Sequence, residues 1–379
     1  MLLAHGLEAR SKAFVADLRQ DRLQLAHHPG VAADEQAEPR LVVFQGEEPG
    51  GEVADDQARL GAEAAVKAIN DKGGIKGEKL VLEIADDQCD PKSAVSAANQ
   101  VVSKGIRFVV GHLCSGASIA ASGVYDEEGI LMMTASATSP ELTERGMKLV
   151  FRACGRDDQQ GVVAAKYIAE KFKDKKVAIV HDKQVYGQGL ADAAKKTLGE
   201  AGVKPAYEGS VNAGERDFSA LVARLKQEGI DIVYYGGYHT ELGLIVRQAR
   251  QAGLETRFVG ADGLATNEFW SIAGEGGAGT LFTFSADVKS KPSAQSVYEE
   301  LKKSGEPDNF AFYYYAAVQT LADAVARAGK EPEAVAEDLR ANGFETVVGS
   351  FRFDAKGDLI DPEYVIFEWR DGAYAPTKL

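Results

Sequence analysis

The 379-residue chain has only three cysteines, six histidines, four methionines and two tryptophans. It also lacks an excess of positive charge: 43 Lys and Arg stand against 57 Asp and Glu, a net charge of −14. That balance argues against nucleic acid or an anionic membrane surface as a partner and favours solubility. No apolar run approaches the ~20 residues of a membrane-spanning helix. Neither H-E-x-x-H nor C-x-x-C occurs, so no metal site is expected. "GGIKGEK" lacks the Gly-Lys-Ser/Thr ending of a phosphate loop, and there is no G-x-S-x-G elbow. "GEGGAG" at 274–279 has dinucleotide-site spacing, but a helical stretch precedes it and the strand-like "TLFTF" follows. That order is inverted for a pyrophosphate site, so the segment reads as a turn and no cofactor is expected.

The N-terminus lacks something too. "MLLAHGLEARSKAFVADLRQDRLQLAHHPG" has no basic segment followed by an apolar core, so no signal peptide is read there. Residues 1–39 are expected to form an atypical, poorly ordered extension. So few cysteines read as reduced thiols, and a bridge between Cys89 and Cys114 would require export.

What is present is a core and an alternation. The chain is 45% hydrophobic and long enough for two domains. Strand-like runs fall at 80–85, 106–110, 130–134, 176–180, 203–208, 231–235, 257–259 and 280–284. Helical runs lie at 91–103, 118–128, 160–172, 187–201, 218–227 and 241–252. Phe218, Leu221, Val222 and Leu225 show the helical spacing. Pro91 after Asp90 opens one helix, and Gly105 and Gly202 close two others. Such alternation predicts an α/β protein of two doubly wound parallel-sheet lobes. After residue 290 helices at 294–303 and 309–328 replace the alternation, and strands follow near 351–353 and 364–369. That change predicts a return of the chain to the first lobe.

Ligands of doubly wound folds sit beyond the carboxyl ends of strands. There this chain carries "LCSGAS", "TASATSPE", "HDKQVYGQG", "GGYHTELG" and "GADG". Hydroxyls and helix-start N–H groups bind carboxylates. Tyrosines give apolar walls with a polar tip, and Asp262 can accept an ammonium group. Each feature alone is more often a cap or packing; the recurrence on one edge points to a binding site. In "VVGHLCSGAS" (109–118), Cys114 or Ser115 as nucleophile with His112 as base remains a second reading.

From about Gly61 to the C-terminus the chain resembles the branched-chain amino-acid (leucine/isoleucine/valine) binding proteins of bacterial ABC importers. "LVLEIADDQCDPKSAVSAANQVVSKGIRFVVGHLCSGASIAASGVYDEEGILMMTASATSPELTERG" carries the resemblance, with "AIVHDKQVYGQGLA", "DFSALVARLKQEGIDIVYYGGY" and "YYYAAVQTLADA". It implies the type I periplasmic-binding-protein fold, two lobes joined by a three-crossing hinge. The expected lobes are 40–156 with 286–362, and 157–285 with 363–379. The resemblance places Leu113, Cys114 and Ser115 on the ligand, with Ser115 at its carboxylate. Ala137 and Thr138 match a loop that binds carboxylate and ammonium, and Tyr186 and Tyr238 match second-lobe aromatics. Asp262 stands where well-known members carry a glutamate for the ammonium, and Phe310 near a side-chain-pocket position. Cys89 and Cys114 match the family's disulfide pair.

The resemblance further implies a non-enzymatic, periplasmic, monomeric protein. Its partners would be a free amino acid and the importer's membrane permease subunits. The same fold also serves amino-acid or amide sensors that act on a regulator, a second functional class. One span departs from the family: "RLVVFQGEEPGGEVADDQARLGAE" is acidic where members carry a Gly/Ser/Thr-rich ligand loop. "LVVF" within it can still supply the first strand.

Overall fold

The computed structural model describes residues 38–45 and 53–377. All but the last two residues of the expected N-terminal extension lie outside them. Five strands, β1 (Arg40–Gln45), β2 (Val81–Asp86), β3 (Phe108–Val110), β4 (Leu131–Thr134) and β5 (Val150–Arg152), build a wholly parallel sheet in the order β2-β1-β3-β4-β5. "LVVF" supplies β1, as its β-branched pair favours. A second sheet contains β6 (Val177–His181), β7 (Tyr207–Ser210), β8 (Ile232–Gly236), β9 (Arg257–Gly260) and β10 (Leu281–Ser285). Its order ends in two strands from the far end of the chain: after a hairpin of β11 (Phe344–Thr346) and β12 (Gly349–Phe351) come β13 (Tyr364–Arg370) and β14 (Ala373–Pro376), giving β14-β13-β10-β9-β8-β6-β7. β13 runs antiparallel to β10, and β14 to β13, so this second sheet is mixed rather than purely parallel.

Each sheet is covered on both faces, because successive residues point to opposite sides. In the first, Leu41, Val43, Phe108 and Val110 enter one core while Val42, Phe44 and Val109 enter the other. In the second, Val233 and Tyr235 pack on one side and Ile232 and Tyr234 on the other. This is the doubly wound arrangement. The chain passes between the sheets three times: after β5, after β10, and before β13. The helix Asn309–Ala328 returns to the first lobe, burying Ala311, Phe312 and Tyr314 in the same core as Leu41 and Val43.

Local chemistry sets the boundaries. Asp90 caps the helix Pro91–Ser103, its Oδ1 accepting the N–H groups of Lys92 (3.1 Å) and Ser93 (2.8 Å). β7 begins at Tyr207, not near 203, because Pro205 has no N–H for the ladder. The helices Ser115–Glu128 and Asp157–Lys171 both start three residues earlier than the apolar periodicity shows. Those extra first turns carry Ser115 and Asp157, and both matter for the site.

One contact tests the packing. The helix Val53–Asp71 crosses Asn309–Ala328 at Gly61, where an added Cβ would lie 2.0 Å from the Ala311 carbonyl oxygen. Gly61→Ala is expected to destabilise the fold by at least about 1–3 kcal/mol, since backbone must move to admit the methyl. Urea denaturation followed by circular dichroism checks this; an unchanged midpoint would contradict the close crossing.

Candidate functional site

The carboxyl ends of β3 and β4 bring two loops together. Beyond β3, Cys114 is the N-cap of Ser115–Glu128, and it is disulfide-bonded to Cys89 with Cα atoms 5.3 Å apart. Leu113 is half-buried against the cores on both faces of the first sheet. Beyond β4, the Thr134 hydroxyl donates to the His112 carbonyl (2.9 Å) and the Ser136 hydroxyl to the Leu113 carbonyl (3.0 Å). The Ser139 N–H donates to Ser115 Oγ (3.2 Å). Ser115, Ala137 and Thr138 are thus held on one rigid surface. Thr138 is buried.

His112 does not serve Ser115. Its ring is buried and stacks on Phe44, with centroids 3.8 Å apart. Nδ1 contacts the Asp87 carboxylate, and Nε2 lies 2.9 Å from the Tyr125 hydroxyl. Both ring nitrogens are therefore engaged away from Ser115, and Cys114 is committed to its disulfide. The nucleophile-and-base reading of 109–118 loses its base and one of its nucleophiles.

A buried cation fixes the second loop. Arg152, at the end of β5, donates from Nη1 to the carbonyls of Ala137 (2.8 Å) and Ser139 (2.9 Å), on either side of Thr138. Its Nε donates to Asp358 (2.9 Å) and its Nη2 to the Thr143 hydroxyl (2.9 Å). Asp358 also accepts from Arg156 (2.7 Å), which lies on the first crossing. Burial works to raise the Asp358 carboxyl, but the Arg152 charge and hydrogen bonds from Arg156, Arg152 and Thr143 hold it below the usual carboxylate range.

The second lobe supplies acid and aromatics. Asp262 follows β9 and is buried; its Oδ1 accepts the Tyr186 hydroxyl (2.6 Å) and Gln160 Nε2 (2.8 Å). The Gly263 N–H donates to the Tyr186 hydroxyl (3.0 Å). Tyr238 lies with its ring centroid 4.8 Å from that of Tyr186. It packs against the core containing Cys114 and Ala117 as well as against its own lobe's core, so the lobes touch here. Phe310 packs on Phe284, with centroids 5.0 Å apart. The loop expected to follow the first strand falls on residues 46–52, outside the described residues.

Sequence reading missed two residues that join these groups. Asp157 and Gln160 lie in the first turn of Asp157–Lys171. The Asp157 N–H donates to the Thr138 carbonyl (2.9 Å), and Gln160 Nε2 donates to Asp157 Oδ1 (2.9 Å) as well as to Asp262. Gln160 Oε1 accepts the Thr283 hydroxyl (3.0 Å), which fixes the amide's orientation. Burial pushes the Asp157 carboxyl up to about 7, aided by the negative charge on Asp262 and opposed by Thr138, Gln160 and Arg152. Asp262 is likewise raised by burial, against the hydrogen bonds from Tyr186 and Gln160. The signal was in "RDDQQG", two acids and two amides at a helix start, where polar residues are easily taken for a cap. Among the described residues no group of three or more His, Cys, Asp or Glu is placed to hold a metal, and no helix is long and apolar enough to cross a membrane.

Two α/β lobes that touch through strand-end loops, with hydroxyls and N–H groups on one side and a buried acid with tyrosines on the other, define a two-lobed solute-binding protein. The chain belongs to the periplasmic binding protein family, whose model matches residues 49–373. It is 49% identical over 320 residues, 84% of this chain and 86% of the relative, to Leu/Ile/Val-binding protein homolog 1 of Brucella melitensis. It is 47% identical over 321 residues, again 84% and 86%, to the leucine-, isoleucine-, valine-, threonine-, and alanine-binding protein of Pseudomonas aeruginosa. Among solved structures it is similar to the branched-chain amino acid transporter substrate binding protein LivJ from Streptococcus pneumoniae in complex with isoleucine. There the TM-score is 0.82 at 27% identity, covering 89% of this chain and 98% of that one.

The cystine is the staple of the first loop. Replacing both Cys89 and Cys114 with serine is expected to cost about 2–4 kcal/mol in urea denaturation. Thiol titration of the unfolded, unreduced protein should find one thiol, Cys154. Three reactive thiols would remove the staple from the account.

Proposed function

We propose that this chain is the extracytoplasmic solute-binding subunit of an ABC importer. It captures free amino acids, branched-chain or other apolar ones, by closing its lobes, taken as 40–156 with 286–362 and 157–285 with 363–379. It is non-enzymatic, acts as a monomer and hands its ligand to membrane permease subunits. The observation that carries this reading is the opposition of a buried acid, Asp262, to a loop rich in hydroxyl and N–H donors around Ser115 and Thr138. The relatives' names support it, and the Cys89–Cys114 disulfide fits an oxidising compartment such as the periplasm.

The chemistry follows from the zwitterion. An amino acid taken from water needs a partner for each charge, because an unpaired buried charge costs several kcal/mol. Ser115, Thr138 and the N–H groups at the start of Ser115–Glu128 suit the carboxylate. Asp262 takes the ammonium group, oriented by Tyr186 and Gln160. Leu113, Ala137 and Tyr238 offer apolar surface to the side chain, with Cys114 fixing their loop and Phe310 further along the second-lobe core. Burying each CH₂ contributes ~0.8 kcal/mol. Permease recognition then rests on the closed form, which the ligand favours by binding it more tightly.

Calorimetry against the twenty amino acids tests the reading. Branched-chain members are expected to bind at about micromolar strength, and no heat with any of them would overturn it. Asp262→Ala is expected to weaken binding at least about thirtyfold, roughly 2 kcal/mol or more, with the thermal melt little changed. Unchanged affinity would place the ammonium partner elsewhere.

A further inference from the structure

Two buried carboxylates share a single neutral donor in this protein. Gln160 Nε2 lies 2.9 Å from Asp157 Oδ1 and 2.8 Å from Asp262 Oδ1. The amide cannot be reversed, because its oxygen accepts from Thr283. Asp157 is fully buried and Asp262 nearly so. The surroundings add little positive charge. Arg152 acts on Asp157 from β5, but its own hydrogen bonds go to Asp358, Thr143 and two carbonyls. The other groups that interact with Asp157 are neutral or acidic: Thr138 beyond β4, Cys154 on the first crossing, Tyr186 on Val185–Glu200, Tyr234 on β8, Tyr364 on β13 and Asp262 itself. Two negative charges so placed are costly, and a close carboxylate pair with few cations relieves the cost by keeping a proton.

We propose that ligand capture is proton-linked: Asp157 and Asp262, bridged by Gln160, hold one proton between them in the free protein and release it to solvent when an ammonium group enters. This rests on the amino-acid reading above. Before binding the pair carries one negative charge. The O–H bond then breaks, its proton passes to the buffer, and two carboxylates face one ammonium. Asp157 is on this account a positioning residue that sets the charge Asp262 presents, and the pair titrates as a unit. Burial holding Asp157 near 7 is consistent with a proton that is present just below neutrality.

The sign follows from linkage. Because the bound form has lost the proton, affinity rises with pH and levels off once the free pair is ionised. Below that point it falls by up to about tenfold per pH unit. The test is calorimetry with L-leucine at about pH 6 in buffers of different ionisation enthalpy, which gives the protons released per ligand bound. Wild type is expected to release close to one. Asp157→Asn, checked for folding by its thermal melt, is expected to release none, and its affinity, whatever its level, should be flat between about pH 5 and 8. No release by wild type overturns the proposal whether or not the variant folds, and so does undiminished release by Asp157→Asn. If no amino acid binds at all, the functional reading fails by itself. The infrared band of a protonated carboxyl in the free protein near pH 6 then decides the pair: its presence in wild type and loss in Asp157→Asn supports the shared proton, and its absence from wild type overturns it.

Discussion

The Arg152 guanidinium is the joint on which the rest of this structure depends. It is fully buried, and its hydrogen bonds tie the loop beyond β4 to Thr143 and to Asp358. Arg156, on the first crossing between the lobes, shares that same Asp358. A buried guanidinium is tolerable only with its donors satisfied and its charge matched. One network therefore fixes the shape of the loop around Thr138 and anchors a crossing segment to a late segment of the chain. The loop around Thr138 is thereby held to β5 in the first sheet.

From that joint the site's two halves can be followed. On the first-lobe side the disulfide at Cys114, the Ser139–Ser115 contact and the buried His112–Asp87–Tyr125 set remove freedom from the loops. His112, which first suggests chemistry, is scaffold. It supports the loop from beneath through Phe44 and Tyr125. On the second-lobe side Tyr186, Gln160 and Gly263 hold Asp262 and its neighbours in place. Pre-ordering of this kind lowers the entropy that binding has to overcome.

Much of this was legible in the amino-acid order. Alternating β-rich and amphipathic runs gave the doubly wound sheets, because burial on both faces writes continuous apolar strands such as "FVV" and "LMMT". Polar and aromatic residues at strand ends gave the rim, and family likeness assigned roles to them. Short elements escaped. β5 has three residues, and the edge strand β14 has little apolar pattern. β13 reads like any strand, and nothing local reveals that it runs antiparallel to β10. Asp157 and Gln160 escaped for another reason. An acid in a first helical turn is the ordinary complement of the helix dipole. Only the fold brings Asp262, 102 residues away from Gln160, to the same amide.

That meeting explains why an amide, and not a lysine, stands between the two acids. A lysine there would neutralise the pair permanently. Gln160 keeps Asp157 and Asp262 in register through its two N–H groups, yet supplies no charge. The deficit left behind is one that a cationic group of the right size can fill. Arg152 does not fill it, because its own hydrogen bonds are directed to Asp358, Thr143 and the loop carbonyls. A buried acid pair of this kind is unfavourable for folding unless a cation or a proton relieves it. At the joint, by contrast, two loops and a crossing are pinned by the charge pair of Arg152 and Asp358, which the protein completes from its own residues.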